Sequence, residues 1–332
     1  MIVDWLQAIV LGVLQGLTEF IPVSSSGHLV LVPYVLGWPR PGLAFDVALH
    51  AGTAGAIVLY FRVELAGMAR AVLRGGGTRE SRLYRRMVLL LAVASLPVAV
   101  VGLALEDLVE QLFATPPVAA SMLLVTAAVL AGGEKVRERR VAAASPAPAP
   151  AAGDGEAAAA PDWSEGTAAA APVPDERDVP VQQEPDVPVG ADPSDPTGKD
   201  LENVGVREAL TIGAAQIFAL LPGMSRSGTT IMAGVAVGMT REAATRFSFL
   251  MALPALVGAS IVSLPDLGNP GPYSGGAIAA AVVAAFLSGY AAIAFLVRLV
   301  ARTSLTVFVR YLVLAAALGL LASATLGPPS TV

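Results

Sequence analysis

The 332-residue chain is 55% hydrophobic and only 14% charged, too apolar for an ordinary soluble domain. Its net charge of −5 is unevenly spread: residues 141–205 carry 13 acids against two bases, Arg177 and Lys199, which leaves the rest of the chain at +6. The acidity belongs to one segment and points to no nucleic-acid partner, and the absence of cysteine excludes a disulfide framework and thiol chemistry.

The first apolar run, residues 4–20, is expected to stay in the protein rather than act as a removable signal peptide, because it contains Glu19 and no small-residue cleavage site. It has the pattern of a helix. Pro22, three serines and Gly27 then interrupt it, and a second short stretch runs over 27–36. Neither piece comfortably crosses a bilayer core of about 30 Å, so a re-entrant hairpin over 4–36 is predicted. Apolar runs long enough to cross follow at about 43–61, 87–105 and 117–132, with an acidic loop at Glu106, Asp107 and Glu110. Residues 141–205 hold Ala, Pro, Asp and Glu with few large apolar side chains, the composition of a disordered tether without chemistry. A second hairpin is predicted over 208–238, broken at Pro222, followed by crossings at about 247–264, 276–297 and 306–326.

The two halves match at an offset of 201: Gly12 with Gly213, Gln15 with Gln216, Ser24 with Ser225, Ser26 with Ser227, Gly27 with Gly228 and Gly37 with Gly238. One offset that covers two Ser-x-Ser-Gly turns indicates an internal duplication. Arginines fill the stretch Arg62–Arg86, Lys135 and three arginines the next, and Arg241, Arg246, Arg298, Arg302 and Arg310 the later ends. With the basic loops in the cytoplasm, both termini lie outside and the linker inside. An odd number of crossings per half inverts the second. The expected fold is therefore an all-α integral membrane protein, an inverted-topology repeat of about six transmembrane helices plus two re-entrant hairpins. Its units are residues 1–140, a linker over 141–205, and residues 206–332.

Chemistry is expected where the two breaks meet. Glu19 inside an apolar run is expensive, and Gln15 lies one turn earlier on the same face. Its alternative is an interfacial carboxylate or a helix-packing bond. His28, just past the serines, suits a general acid or base, whereas His50 sits in an apolar helix and is read as structural. Among Ser24, Ser25 and Ser26 at least one is expected to cap the second half-helix. Arg226 at the second break has a fork geometry suited to phosphate, with a salt bridge to Glu19 as its alternative. Gln15, Ser24, Ser26 and Gly27 with Ser225, Arg226, Ser227, Gly228 and Thr229 form the expected substrate cradle. An anion cradle with an acid–base pair points to phosphoryl transfer, and its depth in lipid implies a greasy substrate.

The motifs Gln15-Gly-Leu-Thr18-Glu19-Phe-Ile-Pro22-Val-Ser24-Ser25-Ser26-Gly27-His28 and Leu221-Pro-Gly-Met-Ser225-Arg226-Ser227-Gly-Thr-Thr230 resemble those of the undecaprenyl-diphosphate phosphatase family of the bacitracin-resistance type. The resemblance covers both halves. It implies a bacterial inner-membrane enzyme that converts undecaprenyl diphosphate to the monophosphate for peptidoglycan synthesis, with a site open to the periplasm. It further implies a divalent cation, Mg²⁺ or Ca²⁺, with Glu19 as the metal ligand, Glu19 and His28 as catalytic residues, Ser25 as nucleophile and Arg226 as diphosphate binder. The expected partners are a polyprenyl diphosphate lipid, the membrane and a second copy of the chain in a homodimer. Gln15 stands where glutamate is the family's other common choice, which removes a possible metal-ligating carboxylate, and Ser26 stands where threonine often occurs. The acidic linker is a departure from the pattern. The phosphatidic-acid-phosphatase superfamily, which shares Ser-Gly-His, is rejected because its Lys- and Arg-containing first motif is missing. The rival readings are a midplane-site transporter or flippase, to which broken helices are equally suited, and a purely structural membrane protein.

Overall fold

Proline and serine chemistry sets the first structural event. In the computed structural model, which describes residues 2–113, 115–144, 198–262 and 271–326, helix α1 (Ile2–Phe20) stops just before Pro22, and α2 (Ser25–Leu36) restarts at the serines. Ser24 is the sole non-glycine residue at positive φ (72°) among the described residues, and its Oγ accepts a hydrogen bond from the Gly27 N–H at 3.2 Å. Strain at the turn is thus offset by a cap on α2. Gly37, at φ 64°, ends that helix.

The chain continues through α3 (Leu43–Tyr60), α4 (Arg62–Arg74), α5 (Arg79–Ala104), α6 (Glu106–Phe113) and α7 (Pro116–Ala144). The second half opens with α8 (Val206–Ile217), which tightens into a 3₁₀ turn over Phe218–Leu220 before its own break, and resumes as α9 (Arg226–Ala236). Helices α10 (Arg241–Val262), α11 (Gly275–Val300) and α12 (Val307–Thr325) complete it. No strand occurs among the described residues. Five helices, α5, α7, α10, α11 and α12, are long and apolar enough to cross a membrane, and the apolar part of α3, Ala44–Tyr60, is shorter. Leu89, Leu96, Val100 and Leu103 lie exposed along α5, and Leu314, Leu318 and Leu321 along α12. Such continuous apolar surface is hostile to water and natural to lipid.

Small residues let the helices close up. Helix α1 lies along α11, and a Cβ added to Gly12 would stand 2.2 Å from the Ala281 carbonyl oxygen. Helix α8 lies along α5, and a Cβ on Gly213 would stand 2.2 Å from the Ala94 carbonyl oxygen. Two glycines 201 positions apart thus make the same backbone-to-backbone approach in the two halves.

Three expectations are corrected. The stretch 62–86, read as a basic loop, contains α4, whose Gly67, Met68 and Ala71 are buried and which packs on α5 with Gly67 against the Tyr84 ring. The acidic loop at 106–110 is the helix α6. Both ends of the stretch expected as linker, 141–205, are ordered instead. Alanine-rich sequence carries α7 through Ala144, and at the far end Val204 is fully buried. There Lys199 N–H donates to the Gly238 carbonyl at 2.7 Å, while Arg86 donates to the carbonyls of Glu202 and Val204. The rest of the linker, 145–197, and most of the loop before Tyr273 lie outside the described residues.

Candidate active site

The two chain breaks touch. Gly223 N–H donates to Ser26 Oγ at 3.3 Å, and Ser227 Oγ donates to the Ile21 carbonyl at 3.5 Å, so each turn bonds the other. A Cβ on Gly27 would reach the Gly223 Cα at 3.0 Å, which explains why the Ser-x-Ser-Gly motif ends in glycine. Locally the turns are alike. Ser225 Oγ accepts from Gly228 N–H at 3.1 Å as Ser24 Oγ does from Gly27, and the Ser24–Ser26 and Ser225–Ser227 hydroxyl pairs are both 3.2 Å apart. Thr126 of α7 pins the second turn: its Oγ1 accepts from Ser225 N–H and donates to the Gly223 carbonyl, both at 3.0 Å.

Glu19 is the hub. It is buried in the last turn of α1, and its Oε2 accepts from Ser25 Oγ at 2.6 Å and from Gln15 Nε2 at 3.1 Å. Its Oε1 accepts from Arg226 Nη2 at 2.7 Å across the junction of the two halves. The salt bridge offered as an alternative to phosphate binding therefore forms. It does not exhaust the guanidinium: Glu19 and the Ser248 carbonyl take two of its five N–H donors, and the others can meet an anion. Helix α9 begins at Arg226 and α2 at Ser25, so both half-helices present N-terminal N–H groups at this junction. Thr229 Oγ1 and Gln15 Oε1 are buried there without a hydrogen-bond partner among the described residues.

His28 does not pair with Glu19: its Nδ1 lies 2.7 Å from the Ser24 carbonyl and its Nε2 2.6 Å from Tyr311 Oη of α12. The carbonyl at the chain break holds one nitrogen and the last helix the other. His50 of α3, read as structural, instead brings Nε2 to 4.0 Å from Glu19 Oε2. The signal that could have found it is the one applied to Glu19, an ionisable group in an otherwise apolar membrane helix. Nothing in the sequence near Tyr311 or Thr126 marks them out, since both act through tertiary contact with turns about a hundred or more positions away.

Fold and site together define a polytopic all-α membrane protein in which one carboxylate gathers a serine hydroxyl and an arginine from two broken helices. Among the described residues no group of three or more His, Cys, Asp or Glu is placed to hold a metal ion. The chain belongs to the family described as bacitracin resistance protein BacA, whose model matches residues 8–157 and 188–318. It is 39% identical to an undecaprenyl-diphosphatase of Gemmatimonas aurantiaca over 325 residues, covering 96% of this chain and 97% of that protein. An undecaprenyl-diphosphatase 2 of Streptomyces avermitilis is 34% identical over 310 residues, 93% of this chain and 91% of its own length. One from Methanobrevibacter smithii is 33% identical over 318 residues, 93% and 94% of the two chains.

Proposed function

We propose that this membrane protein hydrolyses undecaprenyl diphosphate to undecaprenyl phosphate and inorganic phosphate, recycling the lipid carrier and conferring bacitracin resistance. Family membership and near full-length relatives named undecaprenyl-diphosphatase support the substrate. The single observation that carries the chemistry is Glu19, bonded at once to Ser25 and to Arg226.

In this reading the isoprenoid tail lies among the apolar helix faces and the diphosphate enters between the two turns. Arg226 and the starts of α2 and α9 hold the terminal phosphate, with Gln15, Ser24, Ser26, Gly27, Ser225, Ser227, Gly228 and Thr229 as its walls. Ser25 Oγ attacks the terminal phosphorus as its proton passes to Glu19 Oε2, 2.6 Å away. The bond from phosphorus to the bridging oxygen breaks, and undecaprenyl phosphate leaves. Water then attacks the seryl phosphate, frees inorganic phosphate and restores the hydroxyl. His28 exchanges the proton at the bridging or attacking oxygen through Nε2. Glu19 and the unpartnered Gln15 Oε1 offer a hard divalent cation oxygen ligands, and Mg²⁺ or Ca²⁺ bound there would neutralise charge on the diphosphate.

The matching glycine contacts and capped turns of the two halves support an inverted repeat with re-entrant hairpins, and the arginine-rich ends support a periplasmic site in the inner membrane. The reading includes a second copy of the chain in a homodimer, which the particle mass in detergent tests. Purified protein in detergent micelles, where nothing can be transported, is expected to release phosphate from a polyprenyl diphosphate. Binding without release would favour a carrier of undecaprenyl phosphate instead.

A further inference from the structure

We infer that Tyr311 is a positioning residue for His28, bonding Nε2 as the working nitrogen of an imidazole whose tautomer the Ser24 carbonyl sets. The inference rests on the reading of His28 as a proton carrier given above. His28 is 6% exposed, and the Ser24 carbonyl lies 2.7 Å from its Nδ1. A carbonyl can only accept, so Nδ1 carries the hydrogen. In the neutral ring Nε2 then presents a lone pair, and the Tyr311 hydroxyl, 2.6 Å away, donates to it. The two rings are parallel within 4°, with centroids 5.6 Å apart.

Tyr311 can serve both states of the ring. When Nε2 takes a proton, the same phenol oxygen accepts from it, so the imidazolium is not left as an unpaired buried donor. Every proton that reaches or leaves Nε2 must pass the Tyr311 oxygen or displace it. Tyr311 is 45% exposed on α12, 283 positions from His28, and so links the site to the outer face of the last helix. Without its hydroxyl the ring keeps the Ser24 contact but loses the group that makes Nε2 a defined acceptor.

The test is Tyr311→Phe in the full-length protein, which keeps the ring and removes one oxygen. Expected is a fall in kcat of roughly tenfold to hundredfold, the scale on which outer partners of a working histidine are felt, with KM little changed. The change should add nothing in a His28→Gln background. The chain has two histidines, so ¹⁵N ring shifts can be read for each, and in the variant the His28 Nε2 resonance should move to that of an acceptor without a donor while Nδ1 stays protonated. Unchanged kcat, an effect that adds to His28→Gln, or an unmoved Nε2 resonance overturns the inference while the site reading stands, provided His28→Gln alone is impaired. Full activity in His28→Gln would instead overturn the role given to His28, and Tyr311 with it.

Discussion

Glu19 and Arg226 are 207 positions apart, yet Oε1 and Nη2 meet at 2.7 Å, and the pair is the charged contact between the two broken helices. Both are largely buried, so neither charge has water to fall back on. Replacing Arg226 with alanine leaves the carboxylate unpaired in a dry site, a change that costs about 3–5 kcal/mol for buried pairs in general. We expect Arg226→Ala to lose most activity and to lower the detergent-phase melting temperature. Arg226→Lys keeps the charge but not the fork, and should recover stability well ahead of turnover. Phosphate release measured alongside thermal unfolding separates the two effects, and full activity in Arg226→Ala would refute the assignment.

The neighbouring serines should behave differently. Ser24 caps α2 through Gly27 N–H, whereas Ser25 donates to Glu19. Ser24→Ala is expected to cost about 1 kcal/mol, the usual worth of an N-cap, and to leave measurable turnover. Ser25→Ala should keep the fold and lose the reaction. Rapid quenching of the wild type should trap a phosphorylated Ser25. Near-normal turnover in Ser25→Ala would instead favour a water oriented by Glu19.

His50 has no place in the motifs that flank the breaks, yet its Nε2 lies 4.0 Å from the carboxylate oxygen that receives Ser25. The charged groups that bear on it are Glu19 of α1 and Arg226 of α9. An imidazole at that distance bears on how readily the carboxylate takes up the serine proton. His50→Gln should lower kcat and alter its pH dependence, while Thr53→Ser, three residues on in the same helix, should not. A pH–rate profile of the two variants decides the matter, and identical profiles would return His50 to a packing role.

What could be read from the chain alone divides along physical lines. The breaks at Pro22 and Pro222, the capped turns and the apolar runs are local effects, written into neighbouring residues, and their positions emerged to within a few residues. The Glu19–Arg226 encounter was also legible, because both groups are too costly in lipid to lie far from a partner. Less legible were features decided by distant packing. The amphipathic α4 is hidden among arginines, and the far end of the linker is held by distant partners, Lys199 by the Gly238 carbonyl and Thr240 N–H and residues 202 and 204 by Arg86. Which nitrogen of His28 faces what depends on Tyr311, and no spacing rule connects α2 with α12. Gln216 shows the opposite failure. It matches Gln15 at the repeat offset, but Leu220 stands where Glu19 would be, and its amide is buried without a hydrogen-bond partner among the described residues.

The repeat can be tested through its glycines. Gly12 and Gly213 occupy equivalent positions, and a methyl group at either would drive into a carbonyl oxygen on the helix alongside. Backbone cannot step aside as a flexible side chain can, so each helix pair must separate. Overpacking of this kind typically costs about 1–3 kcal/mol. Gly12→Ala should part α1 from α11, and Gly213→Ala should part α8 from α5, with similar losses in melting temperature. Their effects on turnover should differ. Helix α1 carries Gln15 and Glu19, so Gly12→Ala displaces the carboxylate, whereas the matching stretch of α8 and the 3₁₀ turn after it carries Gln216 and Leu220 and no charge. A Gly213→Ala variant that is destabilised yet retains most of its kcat, beside a Gly12→Ala variant that loses both, would fit a duplicated scaffold with chemistry concentrated in its first half. Equal loss of kcat in both variants would mean that the second hairpin contributes more than Arg226 and its turn.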